Sequence, residues 1–414
     1  MSAAESQRES QLFSDLLEID SESGPRLLSG VHPLSDLLSL DAEEVLEAFR
    51  KSQVNDFTRV IGELDGEGNS LHCLFAEMKS IAEQDPHNRF NELELFQPGA
   101  MQSMFMELHA HVMSHPVWRH PCFIRIFKGD FEREQLEGFA LNYFNQVKNT
   151  RQCVALAQGR FSGFISLPYG ALNERVSELA QIILAQLLAD EYGVGTHPID
   201  DYPDLASLLG STTHIVMYRQ LFEGLGIPFE QQDVPMLHGV ADNVLIQRLL
   251  AGHPDFNLVE ALASVGLGME WGVPEFFSLL LGGMIRWAWQ NEMPLTQHHL
   301  IVFIAHVQYD VLHAISVMLA TSLFGHESST MHQIKQATNI LMSGRYNMMS
   351  GLYRYLFDEP CDDISGIGLD SCYHITDRRI EKALIEARQS VADKTVVDAA
   401  DYKASRSVPF VFSN

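Results

Sequence analysis

Long apolar runs are missing from this chain. A helix that spans a bilayer needs roughly 18 to 20 consecutive apolar residues. The nearest stretch, PEFFSLLLGGMIRWAWQ, is interrupted by Arg286 and two glycines. Basic residues are also few: 28 Lys and Arg stand against 54 Asp and Glu, a formal charge of −26. Phosphate and anionic lipid need a basic footprint, so this balance argues against nucleic acid and membrane as partners. Cysteine is scarce. The five (Cys73, Cys122, Cys153, Cys361, Cys372) are odd in number and lack CxxC spacing, which implies neither a disulfide framework nor a thiolate zinc site. No GxxxxGK[ST] and no strand-borne GxGxxG occurs, so no nucleotide loop is recognisable. The opening MSAAESQRESQLFSDLLEID is acidic and has no basic segment ahead of an apolar core. The expectation is therefore no secretory leader and a cytoplasmic location.

What is present is helical periodicity. With 414 residues, 46% of them hydrophobic, the chain can bury a large core. Its ordered stretches read as amphipathic or apolar helices, with Gly, Pro and Asp at the connections and no series of alternating strands. The spacing predicts an all-α multi-helix bundle. Residues 1–100 form an acidic N-terminal helical extension, partly disordered at its start. Residues 101–325 hold the long apolar helices, and 326–414 hold further helices and a polar tail. No internal repeat is visible.

One apolar helix, about Leu300 to Phe324, contains HVQYDVLHA. His306, Asp310 and His313 fall at i, i+4 and i+7 and share a face. Ile301, Val302, Ile304, Val307, Val311, Leu312 and Ile315 surround them, so the helix reads as buried. A buried carboxylate must be paired or bound to a metal, and imidazole with carboxylate suits Fe, Mn, Zn or Ni. Hydrogen-bonded core histidines with an ion-paired aspartate are the alternative.

Other acids and histidines are placed to join this face. Glu270 lies in the apolar, glycine-rich ASVGLGMEWGVPEFF, away from neighbouring positive charge. Glu191 ends an apolar helix on the side of Leu184, Leu187 and Leu188, with Asp190 as the competing inward acid, and the following turn delivers His197. For each of these a solvated position is the competing reading. Together they give three histidines and three carboxylates on three segments, which is the donor set of a carboxylate-bridged di-metal centre. The run HAHVMSHPVWRH offers His109, His111, His115 and His120, some at i, i+4 spacing; we read this cluster as structural or surface.

These residues resemble a known superfamily. GMEWGVPEFFSLLLGGM, the HVQYDVLHA helix and the DEYGVG…H turn look like the haem-oxygenase-like di-iron oxidases and oxygenases, and HPVWRHPCFIRIFKGDFEREQLEGFALNYFNQV looks like the first core helices of that group. The likeness covers roughly residues 101–325. It implies a haem-oxygenase-like bundle whose metal ligands are Glu191, His197, Glu270, His306, Asp310 and His313, with Asp201 competing for the place of His197. It further implies two Fe(II) ions and O2 as co-substrate.

N-oxygenating members of the group resemble one another in carrying an extra carboxylate ligand on the first core helix. Residues 139–173 here contain no Asp or Glu. The resemblance then favours desaturation, C–C cleavage or oxidative decarboxylation of a small amino-acid-like or fatty-acid-like substrate in specialised biosynthesis. Lys148 and Arg151 are candidates to hold its carboxylate, with solvent-facing roles as the alternative, and Tyr143 and Tyr309 are the phenols expected near the site. Three other readings stay open: a di-iron N-oxygenase, a metal-free member of the same fold, and a non-catalytic helical scaffold. Partners are a small-molecule substrate, with an electron donor and a second copy of the chain left open.

Overall fold

The computed structural model describes residues 41–47, 98–161, 173–193, 212–324, 329–367, 373–390 and 396–397, with a few single positions between 50 and 84; within the long helix over 297–324 it leaves the side chains of 307–312, 319 and 322–324 undescribed. Among the described residues the protein is all-α. Twelve helices run in chain order: α1 (Pro98–Met113), α2 (Pro121–Phe127), α3 (Arg133–Val147), α4 (Thr150–Gln158), α5 (Asn173–Glu191), α6 (His214–Gly224), α7 (His238–Gly252), α8 (Leu258–Ala263), α9 (Val273–Gln290), α10 (Gln297–Phe324), α11 (Thr330–Phe357) and α12 (Arg378–Ser390). The one sheet contact described is a parallel pair of two-residue strands, β1 (Met236–Leu237) and β2 (Val396–Val397). No described helix is long and apolar enough to cross a membrane.

Two 28-residue helices organise the bundle, α10 and α11, each about 42 Å long at 1.5 Å per residue. α10 packs against α5, α6, α8 and α9, while α11 packs against α1, α2, α3, α7 and α8. Between these groups lies a π-helical segment, Ser264–Glu270, that touches both long helices. Its wider turn is visible in the Trp271 N–H, which donates to the Gly266 carbonyl five residues back at 2.8 Å. The glycines of SVGLGMEWG permit this close packing. A Cβ on Gly266 would lie 2.8 Å from the Val317 side chain on α10, and one on Gly272 would overlap the Trp118 indole. π-turns of this kind break the regular hydrogen-bond ladder and are frequent at functional sites.

Helix starts follow from local chemistry. Asn257 accepts the Glu260 N–H at 2.9 Å while Glu260 accepts the Asn257 N–H at 2.8 Å, a capping box that begins α8. Arg379 clamps the same glutamate from the N-terminal end of α12 at 2.7 Å.

The two His-Pro pairs of HPVWRHPCF have a single physical role. His115 Nδ1 accepts from Val117 N and His120 Nδ1 from Cys122 N, each at 3.1 Å, so both rings cap short helical turns. The Nε2 atoms meet Ser343 and Ser350 of α11 at 3.1 and 3.0 Å. Those hydroxyls in turn donate to the carbonyls of Tyr373 and Asp362, both at 2.6 Å. A hydroxyl that donates to a carbonyl accepts from the ring, so both histidines are neutral with the proton on Nε2. Burial agrees, holding each at about 3 from an ordinary 6.5.

Candidate metal centre

Three elements bring donors together at one place. α5 ends at Glu191, α6 begins at His214 and α10 supplies His306. The ligand atoms of these three side chains all lie within 4.8 Å of one another. Glu191 is 5% exposed and His306 7%. His214 Nδ1 lies 3.2 Å from Glu191 Oε1, and the two imidazoles meet edge to face with centroids 4.5 Å apart. His306 is stacked on Phe277 of α9 at 4.8 Å. Its Nδ1 lies 2.6 Å from the Val302 carbonyl one turn back. A carbonyl can only accept, so Nδ1 carries the proton and Nε2 carries the lone pair. This is the backbone-anchored orientation that metal-ligating histidines adopt.

A second group lies two turns along α10. His313 Nε2 is 3.1 Å from Asp190 Oδ2, and its Nδ1 is 3.9 Å from Glu270 Oε2. The ring thus bridges two carboxylates through opposite nitrogens. Adjacent residues at the end of α5 serve different histidines: Glu191 faces His306 and His214, Asp190 faces His313. Glu270 ends the π-helical segment, 2% exposed.

A cavity of about 30 Å³ joins the two groups. Glu191, Glu270 and His306 contribute to its wall, and Tyr143, Gln146, Val147 and Thr150 close it from α3 and α4. Arg345 of α11 completes the lining. The α3–α4 wall is a phenol, an amide and a hydroxyl among apolar groups, with no carboxylate. Behind it, Gln146 donates to Gln247 at 2.9 Å, Asn149 donates to Gln247 at 2.8 Å, and Arg248 donates to Asn149 at 2.6 Å, a buried amide network that holds this wall in place.

The residues singled out from the sequence are distributed as follows. Glu191 and His306 belong to the three-donor cluster. Glu270 and His313 contact one another beside it. His197 and Asp201, and the side chains of Asp310 and Tyr309, lie outside the described residues. Lys148 and Arg151 do not line the cavity. Lys148 Nζ pairs with Asp233 at 3.2 Å and lies over the Phe144 ring, whereas the Arg151 guanidinium is over Tyr192 at 5.0 Å.

Two residues at the site were not found from the sequence. His214 stands alone at the first position of α6, just after the Thr213 cap, where a histidine ordinarily reads as solvated; only the packing of α6 on α10 brings it to Glu191. Arg345 did leave a signal, a lone cation within the apolar LMSGRYNMM, where charge is rare unless paired.

The donors fit a metal. One carboxylate and two imidazoles are the set used by non-haem Fe(II) and by catalytic Zn(II). No protein-family model matches this chain, and no curated protein matches it.

Proposed function

We propose that this protein is an O2-dependent non-haem iron oxidase built on a haem-oxygenase-like helical bundle. It acts on a small amino-acid-like or fatty-acid-like molecule, by desaturation or by oxidative C–C cleavage. The observation that carries this reading is the convergence of Glu191, His214 and His306, two of which, Glu191 and His306, line a cavity. In this reading those three residues hold one iron, and Glu270 and His313, with Asp310, hold a second. The metal would supply the activation of O2.

The chain's own residues do the rest. The Val302 carbonyl holds the His306 ring in the ligating tautomer. Phe277, Val147 and Val273 form the apolar part of the cavity wall, and Tyr143 and Thr150 present hydroxyls to whatever occupies it. The α3–α4 wall offers no acid, which supports carbon oxidation over N-oxygenation, the second reading among the iron enzymes.

His313 favours a variant with one metal. Its Nε2 lies within hydrogen-bond distance of Asp190, 3.1 Å, which positions the ring without a metal, while Nδ1 faces Glu270 at 3.9 Å, too far for a hydrogen bond. Iron stoichiometry separates these readings. The full chain is loaded with Fe(II) without oxygen, bound iron per chain is counted, and O2 consumption is followed on mixing with oxygenated buffer. Two irons with O2 uptake support the two-metal oxidase, and one iron with uptake supports the single-metal form. No stoichiometric iron overturns both.

A further inference from the structure

Arg345, 6% exposed, is a buried cation with no ion pair among the described residues. Its Nη2 donates to the Met269 carbonyl at 3.3 Å, but Nε and Nη1 have no hydrogen-bond partner. The Phe276 ring is 5.4 Å from the guanidinium carbon. Glu270 and the Tyr143 phenol influence it only through space. Burying a guanidinium without a counter-charge is among the costliest arrangements a core can hold. Such a position is understandable as half of a pair whose other half arrives from outside.

Arg345 is also part of the cavity wall, together with Tyr143, Glu191, Glu270 and His306. We propose that Arg345, with the Tyr143 hydroxyl beside it, is the anchor that binds the carboxylate of the substrate. The inference rests on reading this cavity as an active site. It assigns the anion to α11, a helix beyond the region that resembles the oxidase superfamily.

Several observations narrow the anion to a carboxylate. The cavity has room for about two water molecules, comparable to one carboxylate head group. Arg345 is the only cation in its described lining, and Glu191 and Glu270 line it too. A phosphate dianion would meet one positive group and two carboxylates, whereas a planar monoanion can accept from guanidinium and phenol together. Burial raises the Tyr143 phenol above its ordinary range, which keeps it protonated as a donor. A carboxylate anchored there fills the described cavity and lies beside Glu191 and His306, which share its wall. Neutral substrates of the same shape would leave the guanidinium unpaired and bind poorly.

The test uses propionate and its neutral isostere propionamide, both carbon-13 labelled, titrated by NMR into the full chain with and without iron. Propionate should bind at least tenfold more tightly than propionamide in both preparations. Arg345→Gln should remove that preference, Arg345→Lys should retain part of it, and Tyr143→Phe should weaken propionate several-fold. Iron content measured on the same samples should not change in the Arg345 variants. Equal binding of the two probes to the unmutated chain would overturn the inference, whether or not any variant folds. So would undiminished propionate binding by a folded Arg345→Gln. Because the iron-free titration needs no metal, failure of iron binding would sink the oxidase reading and leave this result to stand or fall by itself.

Discussion

His306 Nδ1 lies 2.6 Å from the carbonyl oxygen of Val302, four residues back on the same helix. The bond uses the one ring nitrogen that the cavity does not need. It sets the imidazole plane against Phe277 and leaves Nε2 as the basic atom, beside Glu191 and His214. A helix backbone carbonyl is a fixed acceptor, so this orientation is built into α10 before any metal arrives.

The first prediction follows from that geometry. His306→Ala, His214→Ala and Glu191→Ala should each weaken metal binding by more than about tenfold to a hundredfold, the amount even an outer hydrogen-bond partner is worth. His214 is the informative one, because no spacing pattern in the sequence points to it. Equilibrium dialysis of Fe(II) against each variant measures the effect. If His214→Ala binds metal as tightly as the unmutated chain, the three-donor cluster is not a metal site.

Which features could be read in advance has a physical basis. His306, Asp310 and His313 lie on one continuous helix, and 3.6-residue periodicity fixes which side chains share a face. The structure accordingly points His306 and His313 toward α5 and the π-helical segment. Glu191 and Glu270 were legible as acids in apolar surroundings without a local cation. His214 and Arg345 belong to segments distant in sequence, and their proximity depends on how α6 and α11 pack. For Lys148 the sequence left open both a substrate carboxylate and a role neutralising a nearby acid. The side chain reaches Asp233 at 3.2 Å, since a lysine stem is long enough to carry its head away from the core.

The paired His-Pro clamps yield a stability prediction. Ser343 and Ser350 are fully buried and lie seven residues apart on α11, about 10.5 Å along the axis. Ser343→Ala leaves the His115 Nε2 proton and the Tyr373 carbonyl without their shared partner, and Ser350→Ala does the same to His120 and Asp362. Each should cost about 1–3 kcal/mol. At that separation the two losses should add to within about 0.5 kcal/mol. Urea denaturation of the two single variants and the double variant measures this; strong non-additivity would mean that the clamps move as one unit.

Acid should unfold the protein unusually early. Burial holds His115 and His120 at about 3 and His109 at about 4, against 6.5 for the exposed group. Below pH 6.5 the unfolded chain takes up protons at these rings while the folded chain does not. Stability therefore rises with pH between about 4 and 6.5 and is lost as pH falls through that window. At pH 5 each ring costs about 2 kcal/mol by this linkage, so the three together consume a large part of an ordinary domain's stability. Denaturant midpoints measured from pH 7.5 to 5 should fall steeply below 6.5. His115→Asn combined with His120→Asn keeps a capping side chain without a titrating ring and should flatten the curve. A profile that is flat between pH 7 and 5 in the unmutated chain would contradict this account.

The packing of Trp118 on Gly272 links the first core helices to the π-helical segment, and it can be tested by compensation. Trp118 is fully buried, donates to the Val112 carbonyl at 2.6 Å and stacks on Phe276 with centroids 4.4 Å apart. Gly272 has an ordinary φ of −98°, so its lack of a side chain serves close approach and not backbone freedom. Gly272→Ala should cost about 1–3 kcal/mol by overpacking. In the two-metal reading Glu270, two residues away, is a ligand, so the same change should also weaken binding of a second metal. Trp118→Phe removes the ring that a methyl group would strike, at the expense of a cavity and a hydrogen bond. The double variant should therefore be more stable than the sum of the single losses, with a favourable coupling of about 1 kcal/mol or more, and should regain metal affinity lost in Gly272→Ala. Strict additivity would show that the alanine acts elsewhere, through the backbone of the π-turn itself.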